Sequence, residues 1–228
     1  MKYIIFGLGN FGASLAQKLT EQGNEVIGID SSMAKVDAYK EKISHTICLD
    51  ATDEFTVSGL PLKETDVVIV AIGEDQGSNI MTTALLKNFQ VKRLIGRALN
   101  PLHEKVLLAI GVDEIIRPEE EIADRWAKKL SLVNVLDSYE LNADYSIIEA
   151  SVPKDFVGKT ILEAGFRKKY DILVLTIIKK VEVKSLVGKI RIDKQIKGIA
   201  SADDKLEADD ILVLLGSNRD LKYFLNKA

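Results

Sequence analysis

Short apolar runs alternate with longer amphipathic stretches over the first half of the chain. The runs are almost continuously apolar, which is typical of strands buried on both faces of a parallel sheet. The stretches between them carry apolar residues at helical spacing, beginning with Phe11, Leu15 and Leu19. Strands are predicted at 2–7, 25–30, 45–50, 66–73, 93–98 and 113–118. This alternation predicts an α/β domain with a doubly wound parallel sheet and helices on both faces.

The pattern changes after residue 117. Residues 118–141 predict one long helix, because three glutamates occupy its first turn and suit the helix dipole. An apolar stripe follows the same helical spacing: Ile122, Trp126, Leu130 and Val133. The rest of the chain is rich in strand-like runs and predicts a second, smaller α+β domain.

The predicted organisation is therefore a first domain at 1–117, a crossover or linker helix at 118–139 and a second domain at 140–228. In the second domain, strands are predicted at 145–152, 171–180, 181–193 and 209–216, and helices at 158–169 and 217–227. The run 181–193 is predicted to be a strand pair that turns near Val187 and Gly188.

The turn after the first strand contains the pattern G-x-G-x-x-G, formed by Gly7, Gly9 and Gly12. Such a pattern is weak evidence alone, but here a strand precedes it and a helix follows. Gly7 suits a tight turn, Gly9 lets a pyrophosphate approach the backbone, and Gly12 lets the helix pack closely on the strand. Amides at the helix N-terminus then face the phosphates. The motif predicts a Rossmann-like nucleotide site; the alternative is a glycine turn on an empty sheet.

The second strand ends at Asp30, 18 residues after Gly12. A carboxylate at this position accepts hydrogen bonds from ribose hydroxyls and repels a 2′-phosphate. Ser31 and Ser32 follow it without an arginine, so the sequence favours NAD over NADP.

Three further strand ends predict ligand contacts, each with a structural alternative. Asp50 could reach the adenine or ribose, or cap the next helix. Ala71 and Gly73 would leave room for a flat base or phosphates, with Asn79 near the following helix start, but this segment could equally be a loop and cap. Arg97 suits a phosphate at the carboxyl edge of the sheet, and a surface ion pair is its alternative.

Composition narrows the function classes. The 228 residues carry 31 basic and 34 acidic side chains, a net charge of −3, so no nucleic-acid partner is predicted. The single cysteine, Cys48, excludes a disulfide framework within the chain. The apolar runs are too short to span a bilayer and no leader pattern is present, so a cytosolic protein is expected.

No catalytic constellation is visible in the sequence. His45 begins a predicted strand, His103 lies early in a predicted helix, and Cys48 lies inside an apolar strand where a core position is expected. A zinc site is not predicted. A nucleotide-binding regulatory protein is therefore favoured over a small NAD-dependent oxidoreductase, which needs a catalytic Lys, His or Tyr facing the nicotinamide.

Four motifs occur in order along the chain and resemble one known family. They are IFGLGNFGASLAQKLTEQGNEVIGID, CLDATDE, VVIVAIGEDQGSNI and GVDEIIRPEEEIADRWAKKL, followed by the β-rich second domain. Together they resemble the RCK/KTN proteins, the TrkA-like and KtrA-like regulatory subunits of Trk and Ktr potassium uptake systems. The resemblance covers essentially the whole chain.

The resemblance implies a regulatory, non-catalytic role in potassium transport. It implies binding of AMP, ADP, ATP or NAD(H) in the first domain. It also implies a homodimer joined through the crossover helix, further assembly into an octameric ring, and a membrane-embedded potassium transporter subunit as partner. The protein would then be cytoplasmic, at the inner face of the membrane through that partner. A nucleotide-sensing regulator of another transporter is the alternative.

The second domain resembles the RCK_C (TrkA_C) domain, which in some relatives binds cyclic di-AMP. Arg167 lies in a fitting FRKKY stretch, but most of its neighbours diverge from that pattern. The resemblance therefore gives cyclic di-AMP only weak support.

The resemblance also implies roles for single positions. The segment Gly7, Leu8, Gly9, Asn10, Phe11, Gly12 would cradle the phosphates. Asp30 and Ser32 would meet the ribose, Asp50 and Thr52 the adenosine, and Ala71 and Ile72 the base or phosphate side; Arg97 would meet phosphates. The predicted cofactor-binding set is completed by Ser31, Lys35, Ala51, Gly73 and Asn79.

Two positions bear on the identity of the ligand. Glu119 matches an acidic position that in some relatives helps hold a divalent cation at the phosphates, the alternative being a plain first-turn acid. Ktr-type relatives often have arginine at the position of Asn10. Asparagine adds no charge for a terminal phosphate, so ADP, AMP or NAD(H) fit better than an ATP-driven switch.

Overall fold

The computed structural model describes residues 1–131, 134–184 and 190–227. Within it the chain forms two compact units, Met1–Glu119 and Glu120–Ala228.

The first unit is built on a six-stranded parallel sheet. Its strands are β1 (Lys2–Phe6), β2 (Glu25–Asp30), β3 (His45–Cys48), β4 (Val67–Val70), β5 (Leu94–Arg97) and β6 (Glu114–Ile116). Their order is β3-β2-β1-β4-β5-β6, and every neighbouring pair is parallel. The chain leaves β1 toward β2 on one side and returns to β4 on the other. The switch point of this fold therefore lies between β1 and β4.

Helices follow each of the first five strands. They are α1 (Asn10–Glu21), α2 (Met33–Tyr39), α3 (Glu54–Ser58), α4 (Gln76–Asn88) and α5 (Pro101–Ile110). Successive residues of a strand point to opposite faces, and here Ile4 and Phe6 join one buried cluster while Ile5 joins another. Both faces of the sheet are thus covered, which confirms the predicted doubly wound α/β fold.

The second unit holds a five-stranded antiparallel sheet in the described residues. Its strands are β7 (Val135–Glu140), β8 (Tyr145–Ser151), β9 (Leu173–Lys184), β10 (Ile190–Ile196) and β11 (Ile211–Ser217), in the order β10-β9-β11-β8-β7. The helices are α6 (Pro118–Ser131), which begins in the first unit, α7 (Ile161–Ala164), α8 (Phe166–Tyr170) and α9 (Asn218–Lys227), with a short 3₁₀ turn at Lys154–Phe156.

An aromatic cluster forms the core of this unit. Phe156, Phe166 and Phe224 are buried, with ring centroids 5.4–5.6 Å apart, and Tyr170 packs on Phe224 at 5.2 Å. Such aromatic pairs add stabilisation beyond the area they bury. The predicted α+β class of the second domain is confirmed.

The predicted helix over 118–141 is wrong in its second half. Helix α6 ends at Ser131, and Val135–Glu140 is strand β7, paired with β8. Asn134 has a left-handed φ of 65°, which marks the change of direction. Cross-strand pairing outweighs local helix preference in this segment. The stripe position Val133 lies outside the described residues.

Three smaller predictions can also be compared with the structure. The predicted helix 158–169 is divided into α7 and α8 at Gly165, whose φ is +70°. Cys48 was expected in the core but is exposed, because β3 is the outer strand of the sheet. The turn predicted near Val187 and Gly188 lies outside the described residues, although β9 and β10 do pair in antiparallel register.

Candidate functional site

A cavity of about 680 Å³ opens at the carboxyl edge of the parallel sheet, at the switch point. Its volume suits a small organic ligand, and ligands of this fold class bind at that edge. The structure brings most of the predicted site residues into its lining: Gly7, Gly9, Asn10, Phe11, Asp30, Ser31, Lys35, Asp50, Ala51, Thr52, Ala71, Ile72, Gly73, Arg97 and Glu119.

The glycine turn is set by two close contacts and one open position. Gly7 has φ +98°, and a Cβ there would lie 2.9 Å from the backbone nitrogen of Ile72. A Cβ on Gly12 would lie 1.9 Å from the carbonyl oxygen of Gly7, so only glycine lets α1 pack this closely. A Cβ on Gly9 would have nothing within 4 Å. The free space above Gly9 is where a ligand can approach the backbone.

Helices α1 and α2 begin without a side-chain cap, unlike α3, α4 and α5. Asp53, Asp75 and Asn100 cap α3, α4 and α5 by accepting from backbone N–H groups. The N-cap of α1 is Gly9, and among residues 1–119, all of which are described, no side chain accepts from its first turn. Its unpaired N–H groups and positive dipole end therefore face the cavity and suit an anion.

The Asp30 carboxylate is held in place by the backbone. Its Oδ2 accepts from the backbone nitrogen of Leu8 at 2.8 Å, and its Oδ1 accepts from that of Ser32 at 2.9 Å. The side chain is only 9% exposed, and the Nζ of Lys35 lies 3.8 Å from Oδ2. Each carboxylate oxygen keeps a further acceptor site, so the group can bind the hydroxyls of a ribose.

Lys35 also bridges toward the opposite side of the cavity. Its Nζ lies 3.0 Å from the carboxylate of Glu74, which follows β4. The hydrogen bond to Glu74 raises the pKa of Lys35, with the charge of Asp30 adding to the effect. The Lys35 side chain is therefore positively charged beside the Asp30 carboxylate.

Asp50 forms a local turn instead of capping α3. Its Oδ1 accepts from both the backbone nitrogen (2.9 Å) and the hydroxyl (2.7 Å) of Thr52. These two hydrogen bonds lower the pKa of Asp50. The cap of α3 is Asp53, which accepts from the backbone nitrogen of Phe55 at 3.1 Å.

Arg97 lines the cavity beside Phe11, which lies in the first turn of α1. Its side chain is 13% exposed and forms an ion pair with Glu119. Its Nη1 donates to the carbonyl of Ala71 at 3.3 Å, and the guanidinium carbon lies 5.6 Å from the Phe11 ring centroid. A Cβ on Gly73 would lie 2.5 Å from Nη1. Gly73 therefore makes room for the arginine, whereas the sequence assigned that space to a base or phosphate.

The predicted positions that do not line the cavity are Leu8, Gly12, Ser32 and Asn79. Asn79 is fully buried, and its Nδ2 donates to the carbonyls of Ile72 (2.7 Å) and Arg97 (3.3 Å). It thus ties the end of β5 to the loop after β4. A contact of these residues with a ligand stays a prediction.

The cavity also contains residues that sequence reasoning missed: Ser14, Ile29, Leu49, Glu74, Asp75 and Ser78. Asp75 accepts from the hydroxyl of Ser78 and from the backbone nitrogen of Gly77, and these hydrogen bonds lower the pKa of Asp75. The D-x-x-S spacing is a capping signal that could have identified it. With Glu74 and Asp75 included, five carboxylates line the cavity against two cations.

Metal ligation by Glu119 stays a prediction. Within residues 1–131, 134–184 and 190–227, no group of three or more His, Cys, Asp or Glu side chains could hold a metal ion. The two histidines lie away from the cavity lining. His103 is buried, its Nδ1 accepts from the backbone nitrogen of Leu99 at 3.3 Å, and burial lowers its pKa.

In the described ranges, no helix has both the length and the apolar character needed to cross a membrane.

A family model and a known relative indicate one family. The TrkA-N domain family matches residues 3–118. Ktr system potassium uptake protein C of Bacillus subtilis (strain 168) is 36% identical over 223 residues, covering 98% of this chain and 95% of the relative.

Two solved structures share the fold. The GsuK RCK domain superposes with a TM-score of 0.66 at 18% identity, over 100% of this chain and 48% of that one. The GsuK channel bound to NAD gives 0.63 at 18% identity, over 98% and 39%. This chain thus spans about half or less of the GsuK chains it matches.

Proposed function

Because the chain belongs to the TrkA-N domain family, we propose that it is a nucleotide-binding regulatory subunit of a potassium uptake system. The predicted RCK/KTN resemblance is confirmed by that membership. The similarity to Ktr system potassium uptake protein C extends over nearly the whole of both chains and supports a role in the same process. In this role the chain acts by binding a ligand and contacting a membrane-embedded transporter, not by catalysis.

The observation that carries this proposal is the pairing of Asp30 with the open start of α1. A ribose on the fixed carboxylate would leave its attached phosphates over Gly9 and the uncapped N–H groups. The two halves of the cavity thus suit the two halves of an adenine nucleotide. The fold is shared with a channel whose structure holds NAD, which agrees with this ligand class.

Charge in the cavity favours ligands with few phosphate charges. Five carboxylates against two cations repel a polyanion, and Asn10 adds no positive charge beside the turn. We therefore propose NAD(H), AMP or ADP as ligand, with ATP only when a cation accompanies it. Glu119 is the carboxylate we propose to meet such a cation.

The ligand would regulate transport by biasing two arrangements of an assembly. We propose a homodimer, and from it a ring, positioned on the cytoplasmic face of the membrane by the transporter. A ligand shifts such an equilibrium only through its different affinities for the two states. Moving the populations from 1:99 to 99:1 needs about 5.5 kcal/mol of difference.

The first test is a thermal-shift panel with AMP, ADP, ATP, NAD, NADH and cyclic di-AMP on the full chain. A ligand that binds only the folded state raises stability by about 2.7 kcal/mol at 100 times its Kd. We expect shifts with adenine nucleotides, and their loss in Asp30→Ala.

Asp66→Ala is the matched control, because Asp66 also accepts from a backbone nitrogen, that of Lys2 at 2.9 Å, away from the cavity lining. Its shifts should equal those of the unchanged protein. Absence of a shift with every adenine nucleotide would overturn the site. Turnover of a nicotinamide cofactor with a substrate would overturn the regulatory role.

A further inference from the structure

The phosphate side of the cavity contains an internal ion pair. The guanidinium of Arg97 pairs through Nη2 with the carboxylate of Glu119, in the first turn of α6. Both residues line the cavity and both belong to the first unit. This lining cation therefore faces a carboxylate of its own chain.

The two partners of this pair differ in freedom. The Arg97 side chain is 13% exposed and is held by the Ala71 carbonyl, the Phe11 ring and the space above Gly73. The Glu119 side chain is 66% exposed. When another anion competes for the guanidinium, Glu119 is the partner that can leave.

The guanidinium also keeps unused capacity for hydrogen bonding. Its Nε is buried and, among the described residues, has no hydrogen-bond partner. A guanidinium binds carboxylates and phosphates through the same fork of N–H groups. An incoming phosphate would compete with Glu119 for that fork.

We propose that the Glu119 carboxylate is a built-in competitor of the ligand's phosphate: its ion pair with Arg97 must break before a phosphate can bind the guanidinium. The inference rests on the proposed function. It makes Glu119 a specificity-determining residue, because it penalises ligands that need Arg97 and leaves ligands without a phosphate unaffected.

The test compares ADP with adenosine, which shares its base and ribose but has no phosphate. Affinities of the full chain are measured by isothermal titration calorimetry in EDTA, so that no divalent cation can join the phosphates to Glu119. We expect Glu119→Gln to bind ADP roughly threefold to tenfold more tightly, since it loses a partly buried charge pair. The affinity for adenosine should not change.

Glu114→Gln is the matched control. It removes the same charge from another arginine–glutamate pair, with Arg93 at 2.5 Å, which is not part of the cavity lining. It should leave both affinities unchanged. In an Arg97→Gln background, where the contested guanidinium is absent, Glu119→Gln should no longer tighten ADP binding.

The outcomes separate the two proposals. Equal or weaker ADP binding by Glu119→Gln, or equal tightening of adenosine, overturns the competitor while leaving the nucleotide site intact. A gain from Glu114→Gln as large as that from Glu119→Gln also overturns it, since net charge alone would then explain the effect. Failure of ADP and adenosine to bind any variant counts against the proposed function instead.

Discussion

The two edges of the parallel sheet carry the same types of charged residue. They differ in whether backbone N–H groups beside those residues are left without a partner. At the amino edge, Asp66 accepts from the backbone nitrogen of Lys2 and lies 3.8 Å from Lys92, and Arg93 pairs with Glu114. At the carboxyl edge, Asp30 likewise accepts from backbone N–H groups.

Arg97 and Glu119 repeat the arginine–glutamate pair at the carboxyl edge. Within residues 1–119, only that edge also holds an uncapped helix start whose N-cap is a glycine with open space above it. Carboxylates and arginines alone therefore do not make the site. The glycine turn does, because it exposes backbone donors beside them.

The largest expected effect comes from closing the glycine turn. Gly12→Ala would set a Cβ 1.9 Å from the Gly7 carbonyl oxygen, backbone against backbone, and α1 would have to shift. We expect the free energy of unfolding to fall by about 2–4 kcal/mol, measured by urea unfolding, with loss of nucleotide binding.

Gly23→Ala is the comparison at the other end of α1. A Cβ there meets nothing within 4 Å, but the residue has φ +84°. We therefore expect the left-handed backbone to lower the free energy of unfolding by only about 1–2 kcal/mol. Nucleotide binding should be unchanged. Equal stability losses in the two variants would contradict the role given to close packing at Gly12.

An intermediate effect should separate binding from stability at Gly9. The residue has φ −68°, which alanine can adopt, and its Cβ would point into free space. We expect the free energy of unfolding of Gly9→Ala to lie within about 1 kcal/mol of that of the unchanged protein. Calorimetric titration with ADP should show binding weakened about tenfold or more, because the methyl group occupies the ligand's approach. Unchanged ADP binding would exclude contact between the ligand and this part of the turn.

The smallest effect concerns one carboxylate at each edge. Hydrogen bonds from Thr52 lower the pKa of Asp50, and the one from the backbone of Lys2 lowers that of Asp66, both from an ordinary value of 3.8. We expect Thr52→Val to raise the pKa of Asp50, since only the hydroxyl bond is lost, and to leave Asp66 unchanged. Carboxyl NMR titration measures both groups at once.

The direction of the pH effect follows from these lowered values. The pKa of Asp50 is lower in the folded protein than its ordinary value of 3.8 in the unfolded chain. This difference stabilises the fold at a pH above 3.8, and the contribution is lost as the pH falls through the folded-state pKa. Thr52→Val should therefore reduce the acid sensitivity of stability slightly. A fall in the pKa of Asp50 would contradict the assigned hydrogen bond.

The fold class and the family were predictable because they depend on local patterns. Continuous apolar strands, helical stripes and the spacing from Gly12 to Asp30 are all properties of short stretches. The same local reasoning failed at 118–141, where helical spacing continued into a segment that pairs with β8. The two strands are joined by the short turn 141–144, so the error came from extending helical spacing past residue 131 and not from a contact distant in sequence.

The candidate site also has a part that local sequence patterns predict and a part that they do not. The glycine turn and Asp30 follow from a motif, and the structure brings both to one cavity. The partners of Arg97 could not be read from the sequence, because Ala71 and Glu119 approach it only through the sheet order. Asn79 was predicted from the sequence to contact the ligand. In the structure its side-chain Nδ2 instead donates to two backbone carbonyls.

Gly73 has a consequence for anyone who redesigns this protein. Because a Cβ there would meet the Arg97 guanidinium at 2.5 Å, a larger residue at position 73 must move the end of that side chain away from Ala71 and Phe11. A library that varies position 73 alone therefore also changes the placement of this cation. Paired changes, a larger uncharged residue at 73 with a shorter uncharged one at 97, would leave five carboxylates against Lys35 alone and favour cationic ligands over phosphates.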